Sequence, residues 1–279
     1  MKNLFLTSLA FLAFIATTLA QDFQGKAIYE TRMTQAPDFG GREMPEARKK
    51  QIMEQMKSAM EKTFILIFDR TTSFYEEDEK LEAPGGGGSR WMRFMGGDVG
   101  KYYKNTKEGT YTKQIESYSK MFLIKDKMKK PEWQMGAETK KIGQYTAYKA
   151  TLTTPIDTTG MQSMMRRFGR GRGRQGGAAR EIPTEKTVTA WYTLDIPISN
   201  GPAEYWGLPG LILEIEDERT KLVCTKIVMN AKDKIEVKAP KKGKEINQKD
   251  YDAMMKKKRK EMIENFQSRG RGSRGGGRR

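Results

Sequence analysis

The chain has 279 residues, with 52 Lys+Arg against 35 Asp+Glu, a formal net charge of +17, one cysteine and no histidine. The missing histidine excludes Ser-His and Cys-His nucleophile pairs, histidine-built metal sites and the usual proton shuttle near neutral pH; the lone Cys224 excludes an internal disulfide. The length fits one domain of about 200 to 250 residues with terminal segments.

Met1-Lys2-Asn3 is a short basic start, Leu4 to Ala16 an apolar run, and Thr18-Leu19-Ala20 places small residues where a signal peptidase reads. Cleavage after Ala20 is the expectation, leaving a periplasmic or secreted product. The run is shorter than the ~20 apolar residues that cross a bilayer. No cysteine sits at the cut to take a lipid, and no later stretch is apolar enough to span.

Gly25 to Thr34 reads as a first strand, with Ala27, Tyr29 and Thr31 alternating against Lys26, Ile28 and Glu30. Pro37 to Arg42 breaks it. Met44 to Lys62 has helical spacing, with Ile52, Met56 and Met60 on one face beside Met53 and Ala59. A methionine stripe of this kind reads as adaptable core. Thr63 to Phe68 is an apolar strand, and Asp69-Arg70 turns it into Ser73 to Glu77. Pro84 with Gly85 to Gly88 is a loop, since no Gly-Lys-Ser/Thr follows to cradle a nucleotide.

Trp91 to Met95, Lys101 to Asn105, Thr110 to Ile115 and Met121 to Ile124 are short strand candidates, with the clearest hairpin turn at Lys107-Glu108-Gly109. Trp133, then Tyr145 to Thr153, continue the series. Short strands with frequent turn signals predict a mainly β fold, an antiparallel meander with a helix after the first strand and another at the C-terminus.

From about 162 to 184 the pattern collapses into Arg/Gly sequence too poor in apolar residues to order itself, read as a loop inserted between neighbouring strands. Val188 to Thr193 then alternates as a strand. A loop with Pro197, Asn200-Gly201 and Pro202 leads to Gly207-Leu208-Pro209-Gly210, where proline and glycine set a tight turn into the apolar strand Leu211 to Ile215. Lys221 to Val228 is a further strand and Ile235-Glu236-Val237 a last one. Pro240 to Gly243 links to a helix over Asn247 to Phe266, with Tyr251, Met254 or Met255, Met262 and Phe266 on its apolar side and Lys256 to Lys260 on a solvated one. The domain therefore runs from 21 to 266, and 267–279 reads as a disordered Arg/Gly tail.

The hexapeptide Gly207-Leu208-Pro209-Gly210-Leu211-Ile212, preceded by Ala190-Trp191-Tyr192-Thr193 and followed by acidic residues, resembles the signature of the GLPGLI family of secreted bacterial proteins. Lys141-Ile142-Gly143-Gln144-Tyr145, followed by Lys149-Ala150, is similar to the strand that precedes that signature in the family. The resemblance covers Lys141 to Glu218 around the Arg/Gly insertion. Ala147 stands where many members have a cysteine, so a disulfide is not implied there. A remoter similarity is to the bowl-shaped, non-catalytic N-terminal domain of secreted peptide N-glycanases. Together these imply a curved sheet, a half-barrel or bowl, and association with a TonB-linked outer-membrane β-barrel protein.

Three functions compete. In the first the chain is a non-enzymatic binding or accessory protein of the cell envelope, with Trp191, Tyr205 and Trp206 as aromatic contacts for a ligand or partner. In the second, carboxylates act in a glycan or peptide hydrolase: Glu214 and Glu216 share a strand face, with Asp195 and Glu204 in the adjoining loop, although paired acids on a strand are usually solvated. In the third, Arg166, Arg167, Arg170, Arg172 and Arg174 bind polyanions. Export directs that last reading away from RNA and towards anionic envelope polymers. No motif calls for a cofactor or a metal.

Overall fold

The computed structural model describes residues 23–34, 45–78, 100–155, 185–217, 220–230 and 236–272. The signal segment, Pro37 to Arg42, the glycine run after Pro84, the Trp91 to Met95 strand and the Arg/Gly insertion with its five candidate arginines lie outside them. The described residues form one open, curved sheet of twelve strands. These are β1 (Gln24–Met33), β2 (Thr63–Asp69), β3 (Thr72–Glu77), β4 (Lys101–Asn105), β5 (Thr110–Ser117), β6 (Lys120–Lys127), β7 (Gln134–Ile142), β8 (Tyr145–Pro155), β9 (Glu185–Thr193), β10 (Leu211–Glu216), β11 (Thr220–Met229) and β12 (Lys244–Ile246). Helix α1 (Glu46–Met60) follows β1 and helix α2 (Gln248–Gly272) closes the chain.

Two meanders build the sheet. β1 to β6 form one wing and β7 to β11 the other, in the order β12-β6-β5-β4-β3-β2-β1-β11-β10-β9-β8-β7. The wings join where β1 pairs antiparallel with β11. β6 and β7 follow each other in sequence yet stand ten strand spacings apart, about 48 Å in a flat sheet. The connection 128–133 reaches at most about 25 Å when extended. Only a sheet that curls until its two wings approach can be joined this way. Bulges in the β1–β11, β9–β10 and β7–β8 pairings supply the added twist and bend.

Burial follows the strand period. β2 reads TFILIFD with Phe64, Leu66 and Phe68 buried, and β3 continues the face with Ser73 and Tyr75. The main core joins Ala27, Tyr29, Phe64, Leu66, Phe68, Tyr75 and Tyr102 to residues of the β9–β10 connection. A second cluster holds Ala150, Val188, Ala190, Tyr192, Leu208, Ile212 and Ile215. Cys224 is buried in the first cluster, as a small apolar residue would be, and burial pushes its thiol up to about 12.

Several expectations are corrected. Gly143-Gln144 is the turn between β7 and β8, so Lys141 to Tyr145 is a hairpin rather than one strand. Glu236 and Val237 lie in no strand; the last strand is β12, which runs parallel to β6 through Lys244, Glu245 and Ile246. Met53, expected beside the apolar face of α1, is 39% exposed, and the side chains of Met56 and Met60 lie outside the described ones. Helix α2 continues to Gly272, into the segment expected to be a disordered tail. Asn247 caps its start by accepting the Asp250 amide at 2.8 Å.

Candidate functional site

Segment 194–210, between β9 and β10, has no regular structure, yet it supplies some of the most buried residues of the chain. Ile196, Ile198, Asn200, Gly201, Pro202, Ala203, Leu208 and Gly210 are all buried. Ile196, Ile198 and Ala203 pack in the main core with the side chains of β1 to β4. The face of β1 to β4 that carries these side chains is thus covered in part by the chain's own loop.

The hexapeptide owes its glycines to two different constraints. Gly207 has φ +92°, a backbone that side-chain-bearing residues rarely adopt, and lies against Pro131 and Trp133 of the connection 128–133. Gly210 has no room: a Cβ there would fall 1.8 Å from the Thr193 carbonyl oxygen. Gly201 is similarly closed by the Ile212 side chain, 2.8 Å from an added Cβ. Leu208 fills the second cluster, Leu211 the main core and Ile212 the second again, while Pro209 is exposed. The signature is therefore a packing device from Gly207 to Ile212.

Polar groups of the sheet reach up to hold this segment and the start of β10. The Tyr29 hydroxyl donates to the Ile212 carbonyl at 2.7 Å, and the Ser73 hydroxyl donates to the Asn200 side-chain oxygen at 2.8 Å. Lys104 is 0% exposed, and its Nζ donates to the carbonyls of Gly201 at 2.6 Å, Ala203 at 2.7 Å and Tyr205 at 3.0 Å. An ammonium has three protons to give, so this set of acceptors is complete. Burial pulls the Lys104 amine down to about 7, and the nearby Glu204 carboxylate opposes it; hydrogen bonds to the charged form favour keeping the proton. Ala203 sits at φ +47°, a conformation that strains a non-glycine residue, and its carbonyl is one of the three.

The expected aromatic contacts separate. Trp191 is buried, only 9% exposed, and its ring lies 4.1 Å from the Lys140 Nζ. It is an internal platform for a cation, not part of a rim. Tyr205 and Trp206 are half-buried. Tyr205 meets Trp133 with ring centroids 6.3 Å apart, and the Trp206 carbonyl accepts the Trp133 indole N–H at 2.8 Å.

The acidic candidates separate too. Glu214 is not solvated: it is 4% exposed and takes Lys140 at 2.6 Å and Lys221 at 3.0 Å. Glu216 shares Lys221 at 3.4 Å near the surface. Two ammoniums neutralise the buried carboxylate, as a charge inside a sheet requires. Asp195 and Glu204 are exposed in the loop. The arrangement of Glu214, Lys140, Lys221 and Trp191 ties β7, β9, β10 and β11 together.

Sequence reasoning missed Lys104 and Ser73 as ties of the segment, Asn200 as the acceptor of Ser73, and Tyr29 as a tie of β10. One signal was present: Lys104 falls in phase with Tyr102 on the buried face of β4, and an inward lysine must find acceptors.

A family model described as "Protein of unknown function (Porph_ging)" matches residues 133–214, which include β7 to β9 and the segment just described. No curated protein sequence matches the chain. Two solved structures of PNGF-II are similar, in C2 and P21 crystal forms. They align with TM-scores of 0.46 and 0.45 at 13% and 14% identity, covering 83% of this chain in each case. The chain spans about a third of the length of those proteins, 32% and 33% respectively.

Proposed function

We propose that this chain is a non-enzymatic binding or accessory protein of the bacterial cell envelope, one that acts through its outer surface. The observation that supports this is the filling of the main sheet face by segment 194–210. A carrier needs a hollow lined for its cargo; here the corresponding side chains, from Tyr29 to Tyr102, are spent on the chain's own loop. A filled, cross-tied shell is suited to scaffolding.

The partner follows from the resemblance of Lys141 to Glu218 to the GLPGLI family: a TonB-linked outer-membrane β-barrel protein. Tyr205 and Trp206, both half-buried, are the candidate aromatic side chains for such a contact. Export after cleavage at Ala20 is part of the same proposal.

Affinity isolation of the tagged protein from solubilised envelopes is the test. Specific co-isolation of an outer-membrane β-barrel protein, surviving raised salt, is the expected result. Recovery only of abundant acidic molecules that salt removes would instead support the polyanion reading carried by Arg166, Arg167, Arg170, Arg172 and Arg174. Turnover of a glycan or peptide by the pure protein would overturn the non-enzymatic assignment.

A further inference from the structure

We infer that the carbonyls of Gly201, Ala203 and Tyr205 form a cradle for a primary ammonium, which the chain fills with its own Lys104, and that this cation, beside the Ser73–Asn200 bond and the apolar packing, fixes segment 194–210 on the sheet. The three oxygens converge on a single nitrogen at 2.6, 2.7 and 3.0 Å in a fully buried position. Backbone carbonyls aimed at one point replace the hydration shell of a small cation, and three of them match the three protons of an ammonium.

The surroundings are arranged around that ion. Ala203 is held at φ +47° with its carbonyl in the set, and a side chain on Gly201 would collide with Ile212. The Tyr102 ring lies 5.8 Å from the Nζ. Ser73 and Tyr111, the register neighbours of Lys104 on β3 and β5, offer hydroxyls rather than carboxylates. The nearby acid, Glu204, is exposed on the loop itself. No buried carboxylate among these neighbours neutralises the amine, so the dipoles of the loop carbonyls take the place of its hydration. The cradle would select a monovalent cation that donates hydrogen bonds and fits a narrow stem.

Chemical rescue of a truncated side chain tests this. Lys104→Ala removes the equivalent of n-propylamine. Amide exchange is read at Tyr205, Leu211 and Ile212, whose N–H groups bond the carbonyls of Pro202, Ile196 and Asn200. In Lys104→Ala these amides should exchange at least about tenfold faster than in the parent, while β2 and β3 amides stay protected. Added n-propylammonium should restore the protection; 1-propanol, and tetramethylammonium at equal ionic strength, should not. Equal rescue by 1-propanol would mean that only a cavity was refilled and would overturn the inference, as would unchanged exchange in the variant. Should Lys104→Ala fail to fold, the parent protein gives the answer by nitrogen NMR. One lysine ammonium should show slowly exchanging N–H protons, and none showing them would overturn the assignment.

Discussion

Segment 194–210 and helix α2 invert the usual relation between regularity and anchorage. The segment has no repeating hydrogen bonds, yet it is buried, tied by Ser73 and Lys104, and shaped by two glycines that allow no side chain. The helix runs regularly over Gln248–Gly272, yet the buried cluster it joins draws on its first turns. Tyr251 packs on Phe122 with centroids 5.6 Å apart and meets the Ser117 hydroxyl at 2.6 Å, and Met254 and Met255 add to the same cluster. Among the described residues no buried cluster takes a side chain from beyond Met255. Local hydrogen bonding thus says little about attachment; buried apolar area and satisfied polar groups decide it.

The largest effect should come from Gly210→Ala. A Cβ 1.8 Å from the Thr193 carbonyl oxygen forces the β9–β10 backbones apart, and a loss of about 3 kcal/mol or more is expected in denaturant unfolding. A fully stable variant would mean that the segment is not seated as described. Tyr29→Phe comes next. It strips the donor from the buried Ile212 carbonyl while keeping the ring, and should cost about 1 to 3 kcal/mol.

For the helix the contrast predicts independence. Tyr251→Ala should lower the helical circular dichroism signal, while the unfolding of the sheet, followed by tryptophan fluorescence, moves by less than about 1 kcal/mol. A large drop in both signals would make α2 an integral layer and remove the contrast.

Acid provides the smallest and most local effect. Burial raises the Asp69 carboxyl, but the Thr72 hydroxyl and the Thr71 and Thr72 amides outweigh it and leave it below its ordinary value. Its contribution is thus fully present above the unfolded carboxylate value, about 3.9, and is lost as pH falls through the lower folded value. The melting temperature should fall by a few degrees more in the parent than in Asp69→Asn between pH 5 and pH 2, about the window such a group covers. Equal acid sensitivity in the two proteins would show that this turn, which positions Ser73 beneath the segment, carries no such linkage.

Much of the architecture is legible in the residues. TFILIF, the alternation of Ala27 and Tyr29, and the turn ending at Gly109 (φ +66°) announce strands and hairpin directly. Helix α2 is announced by the apolar spacing of Tyr251, Met254 or Met255, Met262 and Phe266. β7 is not, because QMGAETKKI is an exposed edge strand with almost no apolar alternation. β12 is only three residues long, defined by its neighbour β6 rather than by its own composition. Glu214 reads as a solvated acid because the lysines that permit its burial come from β7 and β11, distant in sequence. Lys104 is hidden for the same reason: its acceptors are carbonyls about a hundred residues away, and composition is blind to carbonyls.

The seam between β1 and β11 has a kinetic consequence. Gln24 and Asn230, bonded to each other across it, are 206 residues apart. A nascent chain therefore makes the first wing with one border bare, and must wait until β11 has been made before that border can be covered. Such non-local closure makes for slow assembly and a period of exposure to aggregation.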